Sequence, residues 1–177
     1  MAKVRKFVAY RRLERPYTRK SKYREKSFIR GNPQSRVVRW NMGDSKKAYD
    51  YVLSLHTTVD LQIRDRAIES SRLVVNRHCE KKIGPNQFYF RIKIYPHHHL
   101  RENALASGAG ADRLSTGMKF SFGKVIDIAA QCKAGKELFE LRVTKDKLET
   151  AKKILQLAAS KLPCTTKVTI KPITATQ

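Results

Sequence analysis

"FYFRIKIYP", Phe88 to Pro96, alternates without a break: Phe88, Phe90, Ile92 and Ile94 point one way, Tyr89, Arg91, Lys93 and Tyr95 the other. A sustained period of two is the pattern of a strand with one buried face. The opposite face is aromatic and cationic, so the sheet it joins has a wet, positively charged side. Upstream, Ile63, Ala67, Ser71, Val74, Val75 and His78 recur at helical spacing, with Arg64, Arg66, Arg72 and Arg77 mostly outward. That spacing predicts a helix from Asp60, stopped by Gly84-Pro85. Before it, "AYDYVLSLH" places Tyr49, Tyr51, Leu53 and Leu55 on one strand face, and "RVVRW", Arg36 to Trp40, reads as a further strand after the Gly31-Asn32-Pro33 break. Downstream, Lys124–Cys132 and Leu138–Val143 form a predicted hairpin around Lys133-Ala134-Gly135-Lys136. A second helix is expected from Thr144 or Asp146, with Leu148, Ala151, Ile154, Leu155, Ala158 and Leu162 as its apolar stripe and Pro163 as its stop. "KVTIK", Lys167 to Lys171, is the last strand. The order is strand, strand, helix, strand, twice over. It predicts an α+β two-layer sandwich: a mostly antiparallel sheet with two helices packed on one face, a long internal loop and a basic N-terminal arm.

The charge is far from balanced: 38 Lys and Arg against 15 Asp and Glu, a formal +23 over 177 residues. Such self-repulsion calls for a polyanion, and nucleic acid is the commonest one. Residues 1–30 hold twelve of the basic side chains against two glutamates, and interleave them with Tyr10, Tyr17, Tyr23 and Phe28. Arginine grips phosphate in a bidentate fork, and tyrosine stacks on an unpaired base. The arm therefore supplies candidate RNA ligands: Arg11, Arg12, Arg15, Tyr17, Arg19, Lys20, Lys22, Tyr23, Arg24 and Arg30. Arg91 and Lys93 on the alternating strand join them. The domain expectation is an arm over 1–30 and one α+β domain over 31–177 that carries a mobile loop at 101–118.

His97, His98 and His99 suggest a metal site at first sight, but neighbours on an extended chain point to opposite faces, so at most His97 and His99 converge. They are read as base or phosphate contacts, and neither metal nor other cofactor is expected. Cys79, Cys132 and Cys164 are too far apart for a C-x-x-C clasp and read as reduced thiols. No apolar run spans a membrane and no signal-peptide pattern is present, so the chain is expected to be soluble and intracellular.

The segment "SGAGADRLSTGMKFSFGK", Ser107 to Lys124, fits neither helix nor strand. Its glycines at 108, 110, 117 and 123 fall in no phosphate-loop frame, and Val125 follows Lys124 where such a loop needs Ser or Thr. No nucleophile elbow or carboxylate pair supports an enzyme. The segment instead sets Arg101, Arg113, Lys119 and Lys124 among small residues, which lets backbone approach a partner while cations meet phosphates.

"AGADRLSTGMKFSFGK", with "RIKIYPHHHLREN", "DRAIESSRLVVNR" and "RRLERPYTRKSKY", resembles the archaeal and eukaryotic L-ten-e family of large-subunit ribosomal proteins, also called QM, counterpart of bacterial L-sixteen. The resemblance runs from about Arg12 to Pro172; the stop near Gln177 points to the archaeal type. It implies a non-enzymatic, monomeric, cytoplasmic constituent of the large ribosomal subunit, bound to its ribosomal RNA and to neighbouring ribosomal proteins. It also implies that the internal loop reaches toward the peptidyl-transferase centre and the tRNA acceptor arm. By motif match the loop residues are Arg101, Ala109, Gly110, Ala111, Asp112, Arg113 and Gly117; "KFSFGK" departs from the family pattern at Lys119 and Phe120. The alternative is an extra-ribosomal RNA-binding regulator.

Overall fold

A computed structural model describes residues 4–15, 23, 29, 31, 33–105, 108, 115 and 117–173. Of the candidate residues, Tyr17, Arg19, Lys20, Lys22, Arg24, Arg30, Ala109, Gly110, Ala111, Asp112 and Arg113 lie outside them. In chain order the strands are β1 (Asn41–Gly43), β2 (Tyr51–Thr57), β3 (Leu61–Arg64), β4 (Tyr89–Ile92), β5 (His98–Glu102), β6 (Lys124–Cys132), β7 (Glu137–Val143) and β8 (Thr166–Pro172). The helices are α1 (Asp65–Lys82) and α2 (Leu148–Ala159). The fold is an α+β sandwich whose strand pairs are all antiparallel. The strands divide between two sheets where the sequence suggested one: β1-β4-β7-β2-β8 and β3-β6-β5.

The alternation at Phe88–Pro96 does what its chemistry requires. Phe88, Phe90, Ile92 and Ile94 are buried, and in the larger sheet β4 lies between β1 and β7. Their face joins Leu53, Leu55, Phe139, Leu141 and Val143 with Ile68, Val75 and Cys79 of α1 and Ala151, Ile154, Leu155 and Ala158 of α2 in one core. Phe90 meets Phe139 edge to face at 5.5 Å, an electrostatically favoured aromatic geometry. Cys79 and Cys132 are core residues, and burial pushes both thiols up to about 12, so they are inert hydrophobes. Gly43, at φ +84°, is forced: a Cβ there would stand 2.0 Å from the Phe88 carbonyl oxygen.

Several expectations are corrected. The two strands read as a hairpin, β6 and β7, do not pair with each other: β6 pairs with β3 and β5, β7 with β2 and β4, so the turn between them passes from one sheet to the other. Residues 61–64 form a strand rather than the first turn of a helix, because Leu61 and Ile63 pair with Cys132 and Ala130 on β6. The inner stripe of α1 is consequently Ile68, Ser71, Arg72, Val75 and Cys79. Arg72, expected outward, is buried, its guanidinium 2.5 Å from Glu69 and 3.3 Å from the Met42 sulfur. The stretch Arg36 to Trp40 is not a strand. Its donors are taken by side chains instead: Arg36 N–H by Asp65 at 3.2 Å and Val37 N–H by Ser35 Oγ at 3.2 Å. The Arg36 guanidinium lies 3.6 Å from both Asp65 and Asp127, and Arg66 lies 3.7 Å from Asp127. Burial, and then the charge of Asp127, hold Asp65 above the ordinary carboxyl range against the pull of these donors. The loop expected from residue 101 begins later, because Arg101 and Glu102 are the last residues of β5. Among the described residues no helix is long and apolar enough to cross a membrane.

Candidate nucleic-acid interface

Residues 4–15, the described start of the basic arm, are docked. The Gln62 N–H donates to the Arg11 carbonyl at 3.1 Å, and the Gln62 amide donates to the carbonyls of Tyr10, at 2.9 Å, and of Arg12. Gln131 donates to Glu14 O at 2.7 Å and Arg64 to Arg5 O at 2.5 Å. Two glutamines and an arginine of the smaller sheet thus satisfy the arm's backbone acceptors, which would otherwise face an edge strand. Arg64 also lies 4.8 Å above the Tyr10 ring. Tyr10 donates to Glu102 at 2.9 Å, and Arg5 pairs with the same carboxylate at 2.5 Å. With the backbone turned inward, Arg11, Arg12 and Arg15 are exposed; Tyr23 is exposed as well.

The second component is the outer face of the larger sheet, opposite the helices. Registers place Arg91 of β4 beside Glu140 of β7, Val52 beside Arg142 and Lys171, and His56 beside Lys167. Alternation therefore gathers Arg91, Lys93, Arg142, Lys167 and Lys171 on one side. Lys93 is not a free cation: its ammonium is 2.6 Å from Glu140 and 3.4 Å from Glu137. Arg142 binds the same Glu140 carboxylate at 2.6 Å and lies 5.2 Å from the Tyr89 ring. Burial acts to raise the Glu140 carboxyl, but the hydrogen bonds from Lys93 and Arg142 outweigh it and hold it below the usual range. Those bonds correspondingly raise Lys93. The cover of Arg142 explains why Tyr89, expected outward, is buried. Arg91, Lys167 and Lys171 remain exposed. The sequence reading missed both lysines, although K-V-T-I-K puts them on one face, because only sheet order shows which face that is.

The histidines separate. His97 is half-buried, while His98 and His99 are buried within β5. Burial, and then the neighbouring His97, His99 and Arg101, push His98 down to about 4, so it is neutral at physiological pH and offers phosphate no charge. Among the described residues no group of His, Cys, Asp and Glu is set to hold a metal ion.

The third component is the base of the glycine-rich segment. β5 and β6 are antiparallel neighbours with Arg101 opposite Val125 and Glu102 opposite Lys124, after a bulge at Leu100/Arg101. Arg101 and Glu102, read as loop, are thus strand residues, and the segment 103–123 leaves and re-enters the sheet at adjacent positions. The Arg101 guanidinium lies 3.1 Å from the Phe122 ring centroid. Gly123, at φ +74°, lets the return strand pass the Glu102 carbonyl, which a Cβ would approach to 2.6 Å. Gly117, Lys119 and Lys124 are exposed. A cleft of about 210 Å³ between arm and β5 is lined by Arg5, Tyr10, His98, His99, Arg101 and Glu102, so arm and loop base share one wall.

Comparison with known proteins gives a consistent picture. Residues 14–169 match the family model described as ribosomal protein L16p/L10e. Proteins named large ribosomal subunit protein uL16 are similar in sequence. That of Hyperthermus butylicus is 39% identical over 89% of this chain and 84% of its own. The Archaeoglobus fulgidus protein is 38% identical over 92% and 90%, and the Staphylothermus marinus protein 40% over 89% and 87%.

Proposed function

The chain belongs to the ribosomal protein L16p/L10e family, and from that premise we propose how its surfaces serve the large ribosomal subunit. It is a structural constituent of that subunit, archaeal in type, and not an enzyme. It works in the cytoplasm, bound to large-subunit ribosomal RNA and to neighbouring ribosomal proteins. Arg11, Arg12, Arg15 and Tyr23, with Tyr17, Arg19, Lys20, Lys22, Arg24 and Arg30 of the same arm, contact ribosomal RNA. Arg91, Lys167 and Lys171 extend that contact across the sheet, and His97 lies at its border. His98 and His99 brace β5. The segment from 103 to 118, rooted by Arg101 and flanked by Lys119 and Lys124, reaches toward the tRNA acceptor arm beside the aminoacyl-tRNA site and the peptidyl-transferase centre.

The observation that carries this reading is the closed base of the segment. Its ends are paired as Glu102 with Lys124, so the sheet bears its folding load and the segment itself is left for a partner. Its small residues and glycines make ordering costly in isolation, and converging RNA phosphates offset that cost. Replacing 103–118 by a short Gly/Ser turn is expected to leave the unfolding transition nearly unchanged and to permit binding to large-subunit RNA. Subunits carrying the variant should bind aminoacyl-tRNA poorly and translate slowly. A variant that does not fold would make the segment structural; normal tRNA binding and translation would make it an inert linker.

A further inference from the structure

Trp40, the chain's single tryptophan, stacks on Tyr95 with ring centroids 5.3 Å apart and planes 29° from parallel, a separation at which offset aromatic rings attract. Both partners are pinned. Trp40 packs partly on the core, and its carbonyl accepts the Ile92 N–H at 2.9 Å. His97 Nδ1 donates to the Tyr95 carbonyl at 3.1 Å. Yet Tyr95 is 62% exposed. It continues the outward row of Arg91 and Lys93, since exposure alternates with burial through Pro96. Arg39, next to Trp40, is exposed, and the β1–β4 register brings Arg91 opposite Asn41 on its other side.

A pre-stacked ring that stays open to solvent, with Arg39 next to its tryptophan partner in sequence and Arg91 exposed on the same strand face, has the chemistry of a site for an unpaired nucleobase. The ring offers a π-face to any base, and the guanidiniums meet the phosphates on either side. Because Tyr95 is already held by Trp40, stacking orders little more of the protein. A carboxylate-bearing protein segment is the poorer fit: it would satisfy the arginines but leave the open face of the aromatic ring without a planar partner. Resting on the reading of the chain as a ribosomal RNA-binding protein, we infer that the Trp40–Tyr95 pair is a stacking site for one unpaired base of large-subunit ribosomal RNA, with Arg39 and Arg91 on its flanking phosphates.

The lone tryptophan supplies its own reporter. Titration of the full chain with an unstructured single-stranded RNA is expected to quench Trp40 emission saturably, and the same RNA annealed to its complement should quench far less. Tyr95→Leu keeps apolar packing on Trp40 but removes the π-face; it should weaken single-strand binding by about 5- to 100-fold, the effect of losing one stacked base. Tyr95→Phe should bind as the wild type does. Unchanged affinity in Tyr95→Leu, equal quenching by duplex, or shielding of Trp40 that requires a ribosomal protein and not RNA would each overturn the inference. Filter binding to large-subunit RNA separates the two levels. If the chain binds that RNA while Trp40 does not respond, only the stacking site fails; if it does not bind at all, the broader reading fails with it.

Discussion

At Glu140 a buried carboxylate on an otherwise basic face is shared by Lys93 and Arg142, at 2.6 Å each. The pair of cations keeps it ionised against burial. Its native pKa lies below the unfolded value, so its contribution is present above the unfolded value and is lost as pH falls through the native one. Glu140→Gln keeps the shape and removes the charge. It should cost about 1.5 to 3 kcal/mol at neutral pH, the range for hydrogen bonds to charged groups, and toward the lower end because both cations are partly solvated. The gap between variant and wild type in thermal melts should close at acid pH below the native value; a gap independent of pH would mean the glutamate acts only through packing. The sequence set Lys93 on a solvent face but not its partner, because the carboxylate comes from another strand. For the same reason the sequence alone assigns His97, His98 and His99 alike to RNA contact, although one ring is half-buried and two are buried.

Elements were legible where their own pattern ran long. β4, β6, β7 and α2 each carry their pattern over enough residues to exclude the other period, but the hairpin expected of β6 and β7 does not form: across their turn the chain passes from the smaller sheet to the larger. Ile92 and Ile154 occupy the centres of two of these patterns and are buried at 5% and 0% exposure. Truncating either to Ala should cost about 2 to 5 kcal/mol in denaturant unfolding; under about 1 kcal/mol would contradict its place in the core. β3 and β5 were not legible. Neither carries an alternation as long as that of residues 88–96, and what makes them strands is pairing with β6. Gly123 is the point at which β6 passes β5. Gly123→Ala combines a left-handed backbone with a Cβ 2.6 Å from backbone atoms of Glu102, and should cost roughly 1 to 3 kcal/mol. Hydrogen exchange should quicken first in β5 and the start of β6; unchanged protection there would show that the crossing relaxes freely.

Over the whole molecule the surplus of +23 was readable from composition, and so was its concentration in the first thirty residues. What composition could not show is that residues 5–14 are fastened to the smaller sheet through their carbonyls, at Gln62, Gln131 and Arg64. Charge and attachment are therefore carried by different atoms of the same residues, and can be changed separately. Deleting the arm would confound the two, since Phe7 packs against the core. Arg11, Arg12 and Arg15→Gln removes three exposed charges and leaves the anchoring carbonyls in place. If all three neutralise phosphates, the slope of log affinity against log salt should flatten by roughly 2 to 3, at about 0.7 to 0.9 per contact. The matching triple Lys81, Lys82 and Lys153→Gln, exposed on the helices, changes net charge equally and should leave the slope nearly as it was. Filter-binding titrations against large-subunit RNA distinguish the cases. Equal flattening in both triples would mean that RNA responds only to the overall field, and no flattening in the arm triple would mean that its arginines stay in solvent when RNA is bound.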